Sequence, residues 1–144
     1  MKFRFALQTD IPALAEIEKC QPRCAGWGKT GWQGEISQPA SCIWCAEENA
    51  QLVGFVALRL AAGMCEILNV GVSPEFVRRG VGTALLTQAL AWVRTHGGQR
   101  VTLEVGAGNT AAVALYRKAG LAEIGRRKQF YSSGEDALIM GGNL

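Results

Sequence analysis

The chain has 144 residues, 49% of them hydrophobic, and a formal net charge of +3. This length and composition predict one domain, residues 1–144, with a single hydrophobic core. The chain has no run of about 20 apolar residues that could span a membrane, and Met1–Phe5 lacks the apolar stretch of a signal peptide. The mild charge, concentrated at Arg78-Arg79 and Arg126–Lys128, suits local anion contacts. We therefore expect a cytoplasmic protein that binds neither membranes nor nucleic acid directly.

The predicted elements follow from apolar periodicity, taken in chain order. In the first half they are a strand at Phe3–Leu7, a helix that begins at Thr9 or Asp10, a short helix around Lys29–Ile36, and strands at Ser41–Glu48, Gln51–Leu60 and Met64–Val72. In the second half they are a helix at Arg79–His96, a strand at Val101–Val105, a helix at Asn109–Ala119, and strands at Ala122–Phe130 and Ala137–Met140. This order predicts an α/β fold with one mixed sheet and helices on both faces.

The five cysteines raise the question of a zinc site. Cys20 and Cys24 are four residues apart, and Cys42 and Cys45 are three apart, which are spacings that zinc ligands can use. However, Cys42 and Cys45 fall in a predicted strand, where residues three apart point to opposite faces. We therefore expect reduced thiols and no metal site.

The most informative stretch is Val77–Thr83, a turn between a strand and a helix. Gly80 and Gly82 have no Cβ, so the backbone there can approach a ligand closely. The helix that follows offers N–H groups without intrahelical acceptors and the positive end of its dipole, next to Arg78 and Arg79. The stretch predicts a site for phosphate or pyrophosphate; a plain surface turn is the alternative.

Two standard nucleotide motifs do not fit this turn. A dinucleotide fingerprint requires a third glycine where this chain has Leu85, and the Gly-Lys-Ser/Thr of a Walker loop is absent from the sequence. The turn instead resembles the coenzyme A pyrophosphate turn of the GNAT-type N-acetyltransferases, Arg/Gln-x-x-Gly-x-Gly/Ala. The first position departs from that pattern, since Val77 stands in place of the usual glutamine or arginine.

The resemblance extends over nearly the whole chain and is strongest to the RimI-type ribosomal-protein alanine N-acetyltransferases of that family. The matching segments are Asn69–Val72, Leu103–Val105, Asn109 with Ala114–Tyr116, Arg126-Arg127 with Tyr131, and Glu135–Met140. The resemblance implies the GNAT acyltransferase fold, a single mixed and mostly antiparallel sheet. It also implies acetyl-CoA as the acetyl donor.

By the same resemblance, a strand and a turn hold the cofactor through main-chain groups, and a second helix adds side chains. The implied cofactor-binding residues are Val70, Gly71, Val72, Val77, Arg78, Arg79, Gly80, Val81, Gly82, Thr83, Asn109 and Tyr116. The main-chain groups of the first of these segments would bind the pantetheine arm as if the arm were a neighbouring strand, and Gly71 would allow a close approach or a bulge. The strands on either side of the thioester would then splay apart.

Two residues are the candidates for acid–base chemistry. The period of two in Val101–Val105 places Glu104 on the face opposite the apolar residues, where a solvated surface charge is the plain interpretation. The resemblance implies that Glu104 is the general base, since an α-amino group with a pKa near ~8 is mostly protonated at neutral pH. Tyr116 could be a core tyrosine, but the resemblance implies that it protonates the departing thiolate.

The acceptor side is implied to involve Trp27, Tyr131 and Glu135. Glu135 and the next residue could attract an incoming amine or only flank a turn. The resulting expectation is an Nα-acetyltransferase that acts by direct amine attack on an N-terminal alanine, by family analogy that of the eighteenth small-subunit ribosomal protein. The alternatives are another protein amine or a small amine as acceptor, and a coenzyme A-binding module without catalysis.

Overall fold

The computed structural model describes residues 1–21 and 25–144. These residues form four α-helices and a seven-stranded mixed sheet, so the predicted fold class is confirmed. The strands are β1 (Lys2–Phe5), β2 (Ser41–Glu48), β3 (Gln51–Ala61), β4 (Met64–Val72), β5 (Arg100–Gly106), β6 (Ala122–Arg127) and β7 (Ala137–Asn143). The helices are α1 (Ile11–Lys19), α2 (Gly28–Ile36), α3 (Val81–Thr95) and α4 (Thr110–Lys118).

The sheet has the order β1-β2-β3-β4-β5-β7-β6. Every neighbouring pair is antiparallel except β4 and β5, which are parallel. The parallel pair is possible because α3 forms the crossover between its two strands, whereas the antiparallel neighbours β2, β3 and β4 follow one another through short turns. The parallel junction therefore lies inside an otherwise antiparallel sheet.

Two hydrophobic cores cover the two faces of the sheet. On one face α1 and α2 pack through residues such as Leu14 and Trp32, and on the other α3 and α4 pack through residues such as Leu85 and Tyr116. The interior strand β3 is buried on both faces, as its nearly continuous apolar sequence predicts. Below, these are called the α1–α2 face and the α3–α4 face.

The cysteines of β2 confirm the strand geometry expected for them. Cys42 packs in the core of the α3–α4 face and Cys45 in the core of the α1–α2 face, so the two thiols lie on opposite sides of the sheet. Burial raises the pKa of the Cys45 thiol to about 12. Cys24 lies outside the described residues, so its pairing with Cys20 is not described.

Several element boundaries differ from the predicted ones by a few residues. The third helix begins at Val81 and not at Arg79, because Arg78 (φ 65°) and Gly80 (φ 76°) both adopt left-handed backbone conformations. The strand predicted to reach Phe130 ends at Arg127, shortly before Gln129 turns with φ 50°. At α3 the amphipathic pattern of the sequence continues through the residues with left-handed conformations, so it does not mark the start of the helix.

Residues 1–21 and 25–144 include no helix that is both long enough and apolar enough to cross a lipid bilayer. The same residues include no group of three or more His, Cys, Asp or Glu side chains that could hold a metal ion.

Two arginine–carboxylate pairs join the α1–α2 layer to the sheet. Arg4 donates to both carboxylate oxygens of Asp10, at 2.7 and 3.0 Å, and Arg59 donates to both of Glu35, at 2.6 and 3.0 Å. The hydrogen bonds from these guanidinium groups lower the pKa of both carboxyls below their ordinary values. Such bidentate pairs favour the charged form of the acid.

We expect the free energy of unfolding to fall as the pH decreases below about 4, because carboxyls with a lowered folded-state pKa bind protons more tightly when unfolded. The double variant Asp10→Asn, Glu35→Gln should be less stable than the wild type at neutral pH and should lose less stability between about pH 6 and about pH 3. Urea denaturation over that range measures both effects. An equally steep loss in the two proteins would contradict this assignment.

Candidate active site

A cleft opens where β4 and β5 part. The two strands pair only at Met64–Glu66 with Arg100–Thr102, and beyond this point β4 carries a bulge at Leu68. The opening has a volume of about 850 Å³ and is lined by β4, the turn before α3, the end of β5, α4 and the loop between β6 and β7. The predicted splaying of these strands is therefore present.

The edge of β4 forms one wall of this cleft. The Ser73 N–H donates to the Val53 carbonyl on β3, so the main-chain groups of Val72 point away from β3 and toward the cleft. There, Gln21 Nε2 donates to the Val72 carbonyl at 2.7 Å. Gly71 is required for a reason other than a bulge: a Cβ at this position would lie 2.6 Å from the Phe55 ring.

The turn before α3 presents main-chain N–H groups to the cleft. The first helical hydrogen bond runs from the Ala84 N–H to the Gly80 carbonyl at 2.9 Å. The N–H groups of Val81, Gly82 and Thr83 therefore lack acceptors within the helix, and all three residues line the cleft. Converging N–H groups at the positive end of a helix dipole are well suited to bind a phosphate group.

The two arginines of the turn differ in position. Arg78 lines the cleft, whereas Arg79 does not, and its guanidinium lies 5.0 Å from the ring centre of Phe76. Val77 also lines the cleft, with a largely exposed side chain. The predicted cofactor residues that line the cleft are thus Val70, Gly71, Val72, Val77, Arg78, Gly80, Val81, Gly82, Thr83, Asn109 and Tyr116.

Glu104 and Tyr116 both line the cleft, on different elements of its second wall. Glu104 alternates with buried neighbours on β5, as its strand pattern predicts, and its side chain is 37% exposed. Its Oε1 lies 3.3 Å from Arg127 Nη2 on β6. Tyr116 is 7% exposed on α4, and Asn109 caps that helix by accepting from the Ala112 N–H at 3.4 Å.

The loop between β6 and β7 closes one end of the cleft with Tyr131 and Glu135. Glu135 Oε1 accepts from the Gly108 N–H at 2.7 Å, so this carboxylate ties the loop to the start of α4. Asp136 accepts from the Gln129 N–H at 3.0 Å, which lowers the pKa of this carboxyl. Both acids therefore have structural contacts in their turn.

Two predicted residues, Arg79 and Trp27, do not line the cleft, and the side chains of Gln21 and Asn69 were not predicted to take part in the site. Trp27 packs edge-to-face on Trp32, with ring centres 4.8 Å apart, and is not among the residues that line the cleft. Gln21 and Asn69 do line it. Asn69 is a polar residue in an apolar strand, and this pattern could have indicated a functional side chain. Gln21 follows a helix, as many surface residues do, so its sequence context gives no such indication.

Comparison with known proteins gives the family. The sequence profile of the Acetyltransferase (GNAT) family matches residues 11–121. The chain is 30% identical over 135 residues to the ribosomal protein bS18-alanine N-acetyltransferase of Salmonella typhimurium, which spans 92% of this chain and 90% of that protein. It is 34% identical over 119 residues to the N-alpha-acetyltransferase RimI of Mycobacterium tuberculosis, across 79% of this chain and 73% of that one.

Solved structures of similar fold agree with this family assignment. The ribosomal-protein-S18-alanine N-acetyltransferase from Escherichia coli matches with a TM-score of 0.88 and 27% identity, covering 99% of this chain and 92% of that chain. Arabidopsis thaliana NAA60, solved in complex with acetyl-CoA, shares the fold with a TM-score of 0.86 at 18% identity, over 99% and 98% of the chains. The chain therefore belongs to the GNAT acetyltransferase family and is an enzyme that uses acetyl-CoA as its acetyl donor.

Proposed function

We propose that this enzyme acetylates the α-amino group of a protein N-terminus, and that its acceptor is the N-terminal alanine of a small-subunit ribosomal protein. The observation that carries the proposal is that Glu104 and Tyr116 line the same cleft as the phosphate-binding turn. A module that only binds coenzyme A needs no acid–base pair. The names of the relatives from Salmonella and Escherichia coli support the choice of alanine and of the ribosomal protein.

The proposed cofactor site runs along the first wall of the cleft. The N–H groups of Val81–Thr83 bind the pyrophosphate, and Arg78 adds a positive charge at the same turn. The main-chain groups of Val70–Val72 bind the pantetheine arm as a neighbouring strand would. Asn109, at the start of α4, contributes from the opposite wall. Arg79 acts at longer range, since its guanidinium lies over Phe76.

The proposed chemistry is a direct attack of the acceptor nitrogen on the acetyl carbonyl carbon. Glu104 takes a proton from the ammonium group, through water, because an α-amino group with a pKa near ~8 is mostly charged at neutral pH. The C–S bond of the thioester breaks as the C–N bond forms, and Tyr116 donates its phenolic proton to the leaving thiolate, since the resulting thiol has a pKa near ~8.5. The new amide nitrogen loses its second proton to water, and Tyr116 regains a proton from water, so that the products are the amide and free coenzyme A.

The proposed acceptor groove lies at the end of the cleft closed by the β6–β7 loop. Tyr131 and Glu135 line it there. Trp27 contributes through the segment that it anchors, since its ring packs on Trp32. Ribosomal proteins are synthesised in the cytoplasm, so we propose that the reaction takes place there.

Mass spectrometry of ribosomal proteins from cells with and without this enzyme tests the acceptor. We expect one ribosomal protein to lack its N-terminal acetyl group in the cells without the enzyme, and an unchanged set of N-termini would contradict the proposal.

The cofactor site can be tested without perturbing the fold. A Cβ at Gly82 would make only ordinary contacts, the nearest at 3.6 Å to Leu115, and an acidic residue is favourable in the first turn of a helix, so Gly82→Asp should fold normally. Its carboxylate would, however, repel the phosphates at the proposed site. We expect acetyl-CoA to raise the melting temperature of the wild type, by mass action on the folded state, and to raise that of Gly82→Asp much less.

Gly34→Asp is the matched control, because it introduces the same charge into another helix, at a Cβ position that has open space and lies away from the cleft. It should respond to acetyl-CoA like the wild type. NAD and ATP should stabilise all three proteins far less. Equal responses of the wild type and Gly82→Asp to acetyl-CoA would show that the pyrophosphate does not bind at this turn.

Replacing Tyr116 by Phe should lower kcat more than it weakens acetyl-CoA binding, because the hydroxyl acts on the leaving thiolate. Steady-state kinetics combined with acetyl-CoA titration separate the two effects. Weakened binding with an unchanged kcat would instead assign Tyr116 to packing or anchoring.

Glu104→Gln should lower kcat roughly 10²–10⁴-fold, as expected for loss of a positioned general base, with nearly unchanged acetyl-CoA affinity. Raising the pH from about 6 to about 9.5 should partly restore the rate, because more of the acceptor amine is then neutral. Acetylation of an alanine-initiated peptide measures this. Glu66→Gln, an exposed glutamate on β4 outside the cleft, is the control and should behave like the wild type. Equal kcat values for Glu104→Gln and the wild type would exclude Glu104 as the base.

A further inference from the structure

Glu18, near the end of α1, is a buried carboxylate that is only 3% exposed. Its Oε1 accepts from the Gly28 N–H at 3.0 Å and from Trp32 Nε1 at 3.1 Å. Its Oε2 accepts from the Trp27 N–H at 2.9 Å and from Asn69 Nδ2 at 2.8 Å. Four N–H donors from α2, from the residue before it and from β4 thus meet on one carboxylate.

These donors explain why a carboxylate is tolerated in the core. Burying such a group is costly unless its oxygens find donors, and here each oxygen has two. Two of the donors, at Trp27 and Gly28, belong to the start of α2, where main-chain N–H groups have no acceptor within the helix. The side chain of Trp27 cannot cap this helix, so Glu18 supplies the cap from α1.

The fourth donor connects this cluster to the cleft. Asn69 lies directly after the bulge of β4 and lines the cleft, as do Gln21 and Ala25, which follow Glu18 in the chain. Gln21 makes a second connection, a hydrogen bond from its Nε2 to the Val72 carbonyl. The end of α1 is therefore fastened to the free edge of β4 at two places.

Asn69 and the proposed base lie at the same level of the parted sheet. The two strands are last paired at Glu66 and Thr102. Glu104 lies two residues beyond this pair, and Asn69 reaches the same level because Leu68 is the extra residue of the bulge. Both side chains project toward the α1–α2 face, since Asn69 contacts α1 and the strand neighbours of Glu104 pack into the core of the α3–α4 face.

We infer that Glu18 is a positioning residue for the acceptor. By holding the start of α2 and Asn69 together, it sets the cleft wall opposite Glu104, against which the acceptor N-terminus binds. Its own oxygens are occupied by four donors and it is buried, so it acts through these neighbours and does not touch the substrate. The inference rests on the proposed function, because it concerns the peptide acceptor.

Glu18→Gln tests this inference, because glutamine keeps the shape but turns an amide NH₂ toward two N–H donors. We expect the KM for an alanine-initiated peptide to rise about tenfold, with kcat and the KM for acetyl-CoA changed by less than about threefold. Glu35→Gln is the matched control: Glu35 is 6% exposed in the same helical layer, is bonded to Arg59 and does not line the cleft. Its three kinetic constants should stay at the wild-type values.

Amide hydrogen exchange gives a readout that needs no acceptor. The N–H groups of Trp27 and Gly28 should exchange faster in Glu18→Gln, and at the wild-type rate in Glu35→Gln. Unchanged exchange in Glu18→Gln, or faster exchange with an unchanged peptide KM, would overturn the inference. If the wild type acetylates no peptide N-terminus, the proposed function fails, and the exchange rates still decide whether Glu18 holds the start of α2.

If Glu18→Gln does not fold, Trp32→Phe replaces it in the same measurements. This variant removes one of the four donors, at a residue outside the cleft, and keeps an aromatic ring between Trp27 and Phe55. The peptide KM should rise in the same direction, by less than tenfold. Faster exchange at Gly28 with an unchanged peptide KM would overturn the inference here as well.

Discussion

The rest of the structure depends on how far β4 stays paired with β5. Three residue pairs join the strands, and the bulge at Leu68 then carries β4 away from its neighbour. Main-chain groups that would otherwise bond within the sheet are thereby turned toward the cleft. The same divergence leaves Glu104 on the opposite wall, beside the opening. A small change in strand pairing thus produces both the proposed cofactor-binding edge and the proposed reaction site.

The two ends of the cleft have opposite electrostatic character. At one end the N–H groups of Val81–Thr83 and the side chain of Arg78 provide positive potential, which suits the phosphates of the cofactor. At the other end lie the carboxylates of Glu104 and Glu135, which suit an incoming ammonium group. Each carboxylate already has a partner, at Arg127 and at the Gly108 N–H respectively, so both are held in place before any substrate arrives.

Local patterns predicted the element order and the strand face of Glu104, because each depends on spacing within a few residues. The predicted start of α3 was wrong by two residues, because Arg78 adopts a left-handed conformation that an arginine in a sequence does not indicate. The burial of Glu18 could not be predicted, since its partner Asn69 is 51 residues away and a glutamate in a helix normally faces water. Whether such a side chain is buried depends on partners that are distant in the sequence.

The parallel junction also divides the proposed machinery between two halves of the sheet. The strands β1 to β4 carry the pantetheine edge and lead into the phosphate-binding turn, whereas Glu104, Tyr116 and the closing loop belong to the half built on β5, β7 and β6. Their relative position is set by the register of three residue pairs. A slip of one residue there would move Glu104 by about 3.3 Å along the cleft and turn its side chain to the other face of the sheet. The alignment of the proposed base with the proposed cofactor site is therefore set by strand register, outside the reacting groups themselves.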